Sequence, residues 1–163
     1  MNALPAVEVS QTPEEKFREY LASRPRTQRY TTQQRDLVNY IFSKHNHFDA
    51  DELIDEMKGE GFRVSRATVY RTLNKLVDAS LLRRIDLPDR TVFEHDYGYA
   101  HHDHLHCEQC GTIIEFQNTE LEQLIRDVCQ LQQFHYIGHS FVIRGTCVSC
   151  NRARTMKRRL DLV

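Results

Sequence analysis

The apolar positions of this chain change their period several times, and each change marks an element. From Thr12 to Ser23 they recur at helical spacing, which predicts a short amphipathic helix running into a loop through Pro25. Thr31-x-x-Gln34 has the form of a capping box, in which two side chains satisfy backbone N–H groups left open at a helix start. Behind it Leu37, Val38, Ile41 and Phe42 share one face, and Asn46 and His47 are expected to end the helix. A second box, Asp49-x-x-Glu52, opens a helix with Leu53, Ile54 and Met57 inward, closed near Gly59 and Gly61. Ser65 then caps a helix whose core stripe is Val69, Leu73, Leu76 and Val77. Its opposite face carries Arg66, Tyr70, Arg71 and Asn74.

Beyond that helix the period falls to two. Leu81 to Asp86 and Thr91 to Glu94 read as short strands around a Pro88-Asp89 turn. Three helices followed by a hairpin make a winged helix-turn-helix, and an exposed Arg/Tyr/Asn face is the type that enters a major groove. The rival reading is a solvated face on a small helical domain; the helix order, basic flanks and hairpin weigh against it. Glu94 to Ala100 reads as a linker, with Gly98 breaking any regular element. Thr112 to Phe116 is strand-like, and Thr119 to Gln133 repeats Leu121, Leu124, Ile125 and Val128 at helical spacing. His135 to Arg144 alternates like a strand, with His139, Phe141 and Ile143 on one side. The expected fold is α+β, with a winged-helix domain, N-terminal extension and hinge over residues 1–97 and a small α/β domain over 98–163.

A net charge of -1 over 163 residues does not mark a nucleic-acid binder, but its distribution changes the picture. Arg24, Arg26, Arg29 and Arg35 lie in a stretch without an acid. Gly61 to Ile85 holds six basic residues against Asp78 alone, whereas Asp49 to Glu60 holds six acids and one lysine. A neutral chain can therefore still present a basic face, and local phosphate contacts are what binding to DNA requires. Arg29, Arg66, Tyr70, Arg71 and Asn74 are the candidate contacts. No apolar run is long enough to span a membrane, and Met1 to Thr12 lacks a basic-then-apolar signal pattern, so a cytosolic protein is expected.

Reduced thiols in that compartment favour metal over disulfides, which gives the cysteines their meaning. Cys107-Glu-Gln-Cys110 and Cys147-Val-Ser-Cys150 form two C-x2-C knuckles, enough for one closed tetrahedral zinc site. Cys129 stands alone in a helical stretch and reads as a small core residue. Immediately upstream of the first knuckle, His101-His102-Asp103-His104 offers harder N and O donors that suit a second, more exchangeable metal. In an extended segment His101 and Asp103 share one side, and His102 and His104 the other, so one short run can feed two sites. His106 shares the parity of His102 and His104 and is read as a bystander.

The chain resembles the ferric uptake regulator family of metal-dependent repressors. The resemblance rests on Ala67-Thr-Val-Tyr-Arg-Thr-Leu-Asn74, on His101-His-Asp-His-Leu105, and on Cys107-x2-Cys110-Gly-Thr-Ile-Ile-Glu115-Phe. His139-Ser-Phe, Gly145 and the second knuckle complete it. It implies a winged-helix DNA-binding domain, a smaller dimerisation domain, and a homodimer that grips operator DNA when metal is bound, with pairing into tetramers left open. It also implies a structural zinc on Cys107, Cys110, Cys147 and Cys150. A regulatory site on His47, Glu94, His102, His104 and Glu115 follows in the same way, as does a second site on His101, Asp103, Glu122 and His139. His47 has a rival role as a helix cap, and Glu122 as a solvated helix acid. Glu94 has His95 and Asp96 beside it as substitute ligands, because the stretch to His101 is about one residue longer than the family's usual spacing.

Mixed imidazole and carboxylate donors suit Fe(II), Mn(II), Co(II) or Zn(II). Peroxide-sensing relatives carry Asp where this chain has Glu94 and Glu115, and zinc-responsive relatives place sulfur in the sensory site. Both comparisons favour iron, with manganese or peroxide response as the alternative. A zinc hydrolase would need oxyanion donors or a nucleophile motif, which the sequence lacks, and a storage protein would leave the basic helix face idle.

Overall fold

The computed structural model describes residues 7–25, 28–44 and 46–160. Arg26 of the basic flank lies outside the described residues, as do the side chains of Lys157, Arg158 and Arg159. The chain divides into two compact units, residues 1–100 and 101–163.

In the first unit, α1 (Pro13–Ser23) begins at a capping box: Glu15 N–H donates to the Thr12 hydroxyl at 3.2 Å, and Thr12 N–H donates to the Glu15 carboxylate at 2.8 Å. The boxes at Thr31 and Asp49 open α2 (Thr32–Phe42) and α3 (Ala50–Gly59). Helix α2 stops at Phe42, short of Asn46 and His47. The chain is instead drawn into β1 (Phe48–Asp49), which pairs with β3 (Thr91–His95). His47 therefore precedes a strand and does not cap a helix. Helix α3 closes on Gly61, whose φ of +85° lets Gly61 N–H reach Lys58 O and Phe62 N–H reach Met57 O, satisfying carbonyls the last turn leaves open. Helix α4 (Arg66–Asp78) starts at Ser65, whose hydroxyl accepts from Thr68 N–H.

These helices pack one core from one stripe each: Phe17 and Leu21, then Leu37, Val38 and Ile41, then Leu53 and Met57, then Val69, Leu73 and Leu76. Each side chain in that core gives up about 1.5–3 kcal/mol of apolar hydration cost when buried. The antiparallel sheet β1-β3-β2, with β2 spanning Leu82–Asp86, closes the unit through Leu82 and Phe93. Glu94, expected to open the linker, lies inside β3 and stands opposite Arg83.

In the second unit β4 (Asp103–Cys107) is central, antiparallel to β5 (Ile113–Phe116) and parallel to β6 (Val142–Gly145). Only that last part of the alternating 135–144 stretch is strand. Side chains hold what precedes it: Asp103 Oδ1 accepts from Phe141 N–H at 2.8 Å, so a carboxylate stands where a ladder partner would be. Helix α5 (Thr119–Leu131) has no buried residue, and its apolar stripe is exposed, with Leu124 at 59% and Val128 at 53%. Cys129 is accordingly half-buried and belongs to no core. The second knuckle runs into α6 (Val148–Leu160), so the chain continues as helix beyond Cys150. No helix among the described residues is long and apolar enough to cross a membrane.

Candidate metal centres and nucleic-acid face

The parallel pairing of β4 with β6 sets Cys107 beside Gly145, so both knuckles arrive at one end of the sheet. All four sulfurs lie within 4.8 Å of one another. Cys110 and Cys147 are 3.8 Å apart, which is the edge of a tetrahedron of sulfurs about 2.3 Å from a central zinc (about 3.8 Å). A disulfide would need about 2.05 Å, and all of these cysteines are free. The backbone N–H of Cys147 donates to Cys107 Sγ and, with further amide donors, lowers that thiol to about 6. The Thr112 hydroxyl lowers Cys110 in the same way. Cys150, beside the Cys147 and Cys110 sulfurs, is pushed up to about 12. The donor set is closed and thiolate-rich, which fits a structural zinc.

A second cluster lies in the same unit. His101 Nε2 and His139 Nε2 are 3.1 Å apart, and Asp103 Oδ2 lies 3.1 Å from His139 Nε2. Two imidazoles on one tetrahedral zinc would stand about 3.3 Å apart, so the spacing fits a shared ion. Tyr136 Oη lies 2.6 Å from His139 Nδ1. If Nε2 took a metal, Nδ1 would carry the proton and donate it to the tyrosine oxygen, which would fix tautomer and ring orientation. Glu122 is not among these residues; its carboxylate is 3.4 Å from Arg126 on the same helix.

The residues expected at the regulatory site belong to both units. In the first, His47 Nε2 lies 3.0 Å from the buried Glu94 Oε2, and Arg83 lies 3.5 Å from the other Glu94 oxygen. Its neighbours are otherwise engaged: His95 Nε2 donates to Ile41 O at 3.1 Å and stacks on Phe42, and Asp96 takes Arg83 at 2.6 Å. In the second unit His104 stands in register opposite Glu115, and the His102 ring centroid is 5.1 Å from that of His104. His106 is buried, and neither of its ring nitrogens has a hydrogen-bond partner among the described residues.

On the first unit Arg66, Tyr70, Arg71 and Asn74 are all exposed along α4. A groove beside them is lined by Asp49, Asp51, Tyr70, Asn74, Arg84 and Arg90. Arg71 Nε donates back to Ala67 O at 3.1 Å, and Arg29 is exposed ahead of α2.

The family model described as Ferric uptake regulator family matches residues 26–144. The chain belongs to the ferric uptake regulator family. Its fold is that of the family, a winged-helix DNA-binding domain followed by a dimerisation domain with the four-cysteine cluster, and it is a metal-responsive DNA-binding transcriptional regulator. The chain is 30% identical over 122 residues to the peroxide-responsive repressor PerR of Staphylococcus aureus, covering 75% of this chain and 82% of the relative. The ferric uptake regulator of Francisella tularensis, solved with iron, superposes with a TM-score of 0.68 at 26% identity, covering 78% of this chain and 98% of that one. The Vibrio cholerae ferric uptake regulator gives 0.63 at 30% identity, with 73% and 92% covered.

Three residues beside these clusters had no signal in the sequence: Tyr136 at His139, Arg83 at Glu94, and Thr112 at Cys110. Tyr136 sits three residues before His139, the nearest thing to a pointer. Arg83 is identified only by the strand register that sets it against Glu94.

Proposed function

We propose that this chain is an iron-responsive repressor that binds AT-rich palindromic operators as a dimer when its regulatory site is metallated. The observation that carries the reading is the donor set, with Glu at both 94 and 115 and only imidazole and carboxylate beside them. Structural zinc is assigned to Cys107, Cys110, Cys147 and Cys150. The regulatory Fe(II), replaceable by Mn(II), Co(II) or Zn(II), is assigned to His47 and Glu94 from one unit and His102, His104 and Glu115 from the other. A further ion is assigned to His101, Asp103 and His139, which Glu122 would join as fourth ligand only by leaving Arg126. Ligands divided between two units link metal occupancy to the arrangement that presents α4 to DNA. The site of action is the cytoplasm. A hydrolase or a storage protein would leave α4 and the hairpin without a role.

One observation favours a second reading, response to peroxide or manganese: the Staphylococcus relative at 30% identity is a peroxide-responsive repressor. Anaerobic mobility shifts on an AT-rich palindrome separate the two. Iron-dependent binding that survives brief peroxide exposure supports the iron reading; binding lost irreversibly with iron but retained with manganese supports the other. Binding independent of every metal would sink both.

A further inference from the structure

Among the described residues no acid of α3 belongs to a metal-binding cluster, yet Asp51 and Glu52 stand against basic side chains of the proposed DNA face. Asp51, in the first turn of α3, holds two residues of that surface at once. Arg66 Nη2 donates to its carboxylate at 2.9 Å, and Tyr70 Oη donates to Oδ1 at 3.2 Å. The Arg66 guanidinium also lies over the Tyr70 ring, 5.4 Å from its centroid. Beside it Glu52 is 3.7 Å from Arg90 at the hairpin. Two cations suited to phosphate are thus already paired with α3 carboxylates.

We infer that Asp51 is a specificity-determining residue: it withholds Arg66 from phosphate and fixes the Tyr70 ring until the bases of a matching site replace it. Exposed ion pairs are weak and screened by salt, so Asp51 sets a threshold and does not block binding. On an unmatched duplex the only pull is counterion release, and the carboxylate opposes it. On a matched duplex, contacts of Tyr70 and Arg71 with base edges add what phosphate alone does not supply. Discrimination is a difference of two affinities, and a group that penalises the wrong partner widens it as surely as one that favours the right partner.

The test uses the full-length protein loaded with Mn(II), a duplex selected by the wild type from a random pool, and a scrambled duplex of equal composition. Asp51→Asn should raise affinity for the scrambled duplex by about 3–5-fold and steepen its salt slope by roughly one, because Arg66 becomes free for phosphate. Affinity for the selected duplex should rise by less than about 2-fold, so discrimination narrows. Asp55→Asn makes the same charge change on the same helix, but its carboxylate is placed toward Lys58 at 3.5 Å and should leave both affinities unchanged. Arg66→Ala should weaken scrambled-duplex binding more in the Asp51→Asn background than in the wild type. An equal rise on both duplexes, no rise at all, an Asp55→Asn effect of the same size, or strict additivity with Arg66→Ala each overturns the inference. A wild type that binds no duplex in any metal state overturns the regulator reading itself, which is a different result.

Discussion

The backbone N–H of Cys147 donates to Cys107 Sγ across 3.2 Å, so the second knuckle stabilises the thiolate of the first before any ion arrives. Cys107 is lowered to about 6, below the value near 8.5 of an unfolded thiol. Its contribution to the metal-free fold is therefore complete above about 8.5 and lost as pH falls through about 6. Cys150, pushed up to about 12, has the opposite sign and favours the fold in its protonated form. Zinc uptake at pH 7 should accordingly release about three protons per chain instead of the four of an unperturbed set. Calorimetric titration in two buffers of different ionisation enthalpy measures this number, and a value of four would mean that Cys107 is an ordinary thiol.

Replacing Cys107 with Ser should remove most bound zinc and weaken self-association, because the two knuckles at the β4 and β6 ends then lose the ion that joins them. Metal analysis and sedimentation read the two effects separately. A Cys107→Ser protein with full zinc content and unchanged association would refute the structural role.

Capping boxes and apolar stripes are local signals, and that is why α2, α3 and α4 were legible in the chain. The metal knuckles were legible for the same reason, since two residues between cysteines already fix the bite. What the pattern missed depends on partners far along the chain. Strand β1 is two residues long and exists because β3 lies beside it. The 135–144 stretch alternates without being a full strand, because His139 and Phe141 are held by Asp103. Chain distance could not choose among Glu94, His95 and Asp96 as neighbours for His47. Packing places Glu94 there, since His95 is turned to Ile41 and Asp96 to Arg83. The stripe of α5 is real but faces solvent in a single chain, so periodicity found the helix and could not say what covers it.

Tyr136 supports His139 through a 2.6 Å contact with Nδ1. Tyr136→Phe should weaken metal at the His101/Asp103/His139 cluster by about 10–100-fold, the range expected when a ligand loses its orienting partner. Cobalt titration followed by d–d absorption reports the affinity, with the cysteine site kept filled by zinc. An unchanged affinity would place the metal elsewhere or leave the tyrosine without influence on it.

Arg71 and Arg29 should fail in different ways. Arg71→Ala should cost about 1–3 kcal/mol on a matched duplex if its guanidinium reads a base edge, and much less on a scrambled one. Arg29→Ala should weaken every sequence similarly and flatten the salt slope by roughly one, as a phosphate contact does. Affinities at several salt concentrations distinguish the two patterns. Equal loss on both duplexes for Arg71 would reassign it to the backbone.

The regulatory set makes the most demanding prediction. His47 and Glu94 are paired within the first unit at 3.0 Å, and His104 and Glu115 are register partners in the second. If one ion needs donors from both units, removing either contribution should abolish the metal response while each unit keeps its own core. His104→Ala and Glu94→Gln should both retain one zinc per chain and remain dimeric, yet lose stimulation of operator binding by Fe(II) or Mn(II). Coupling of this kind amounts to about 1–3 kcal/mol, or roughly 5–150-fold in operator affinity. By reciprocity, operator DNA should tighten Mn(II) binding to the wild type by the same factor and leave the variants unaffected. Metal must displace protons from its imidazole ligands, so stimulation should also fade in acid. Metal titrations with and without operator, at constant salt, give both halves of the cycle. Stimulation preserved in both variants, or a DNA-independent metal affinity in the wild type, would show that these residues do not form the sensor.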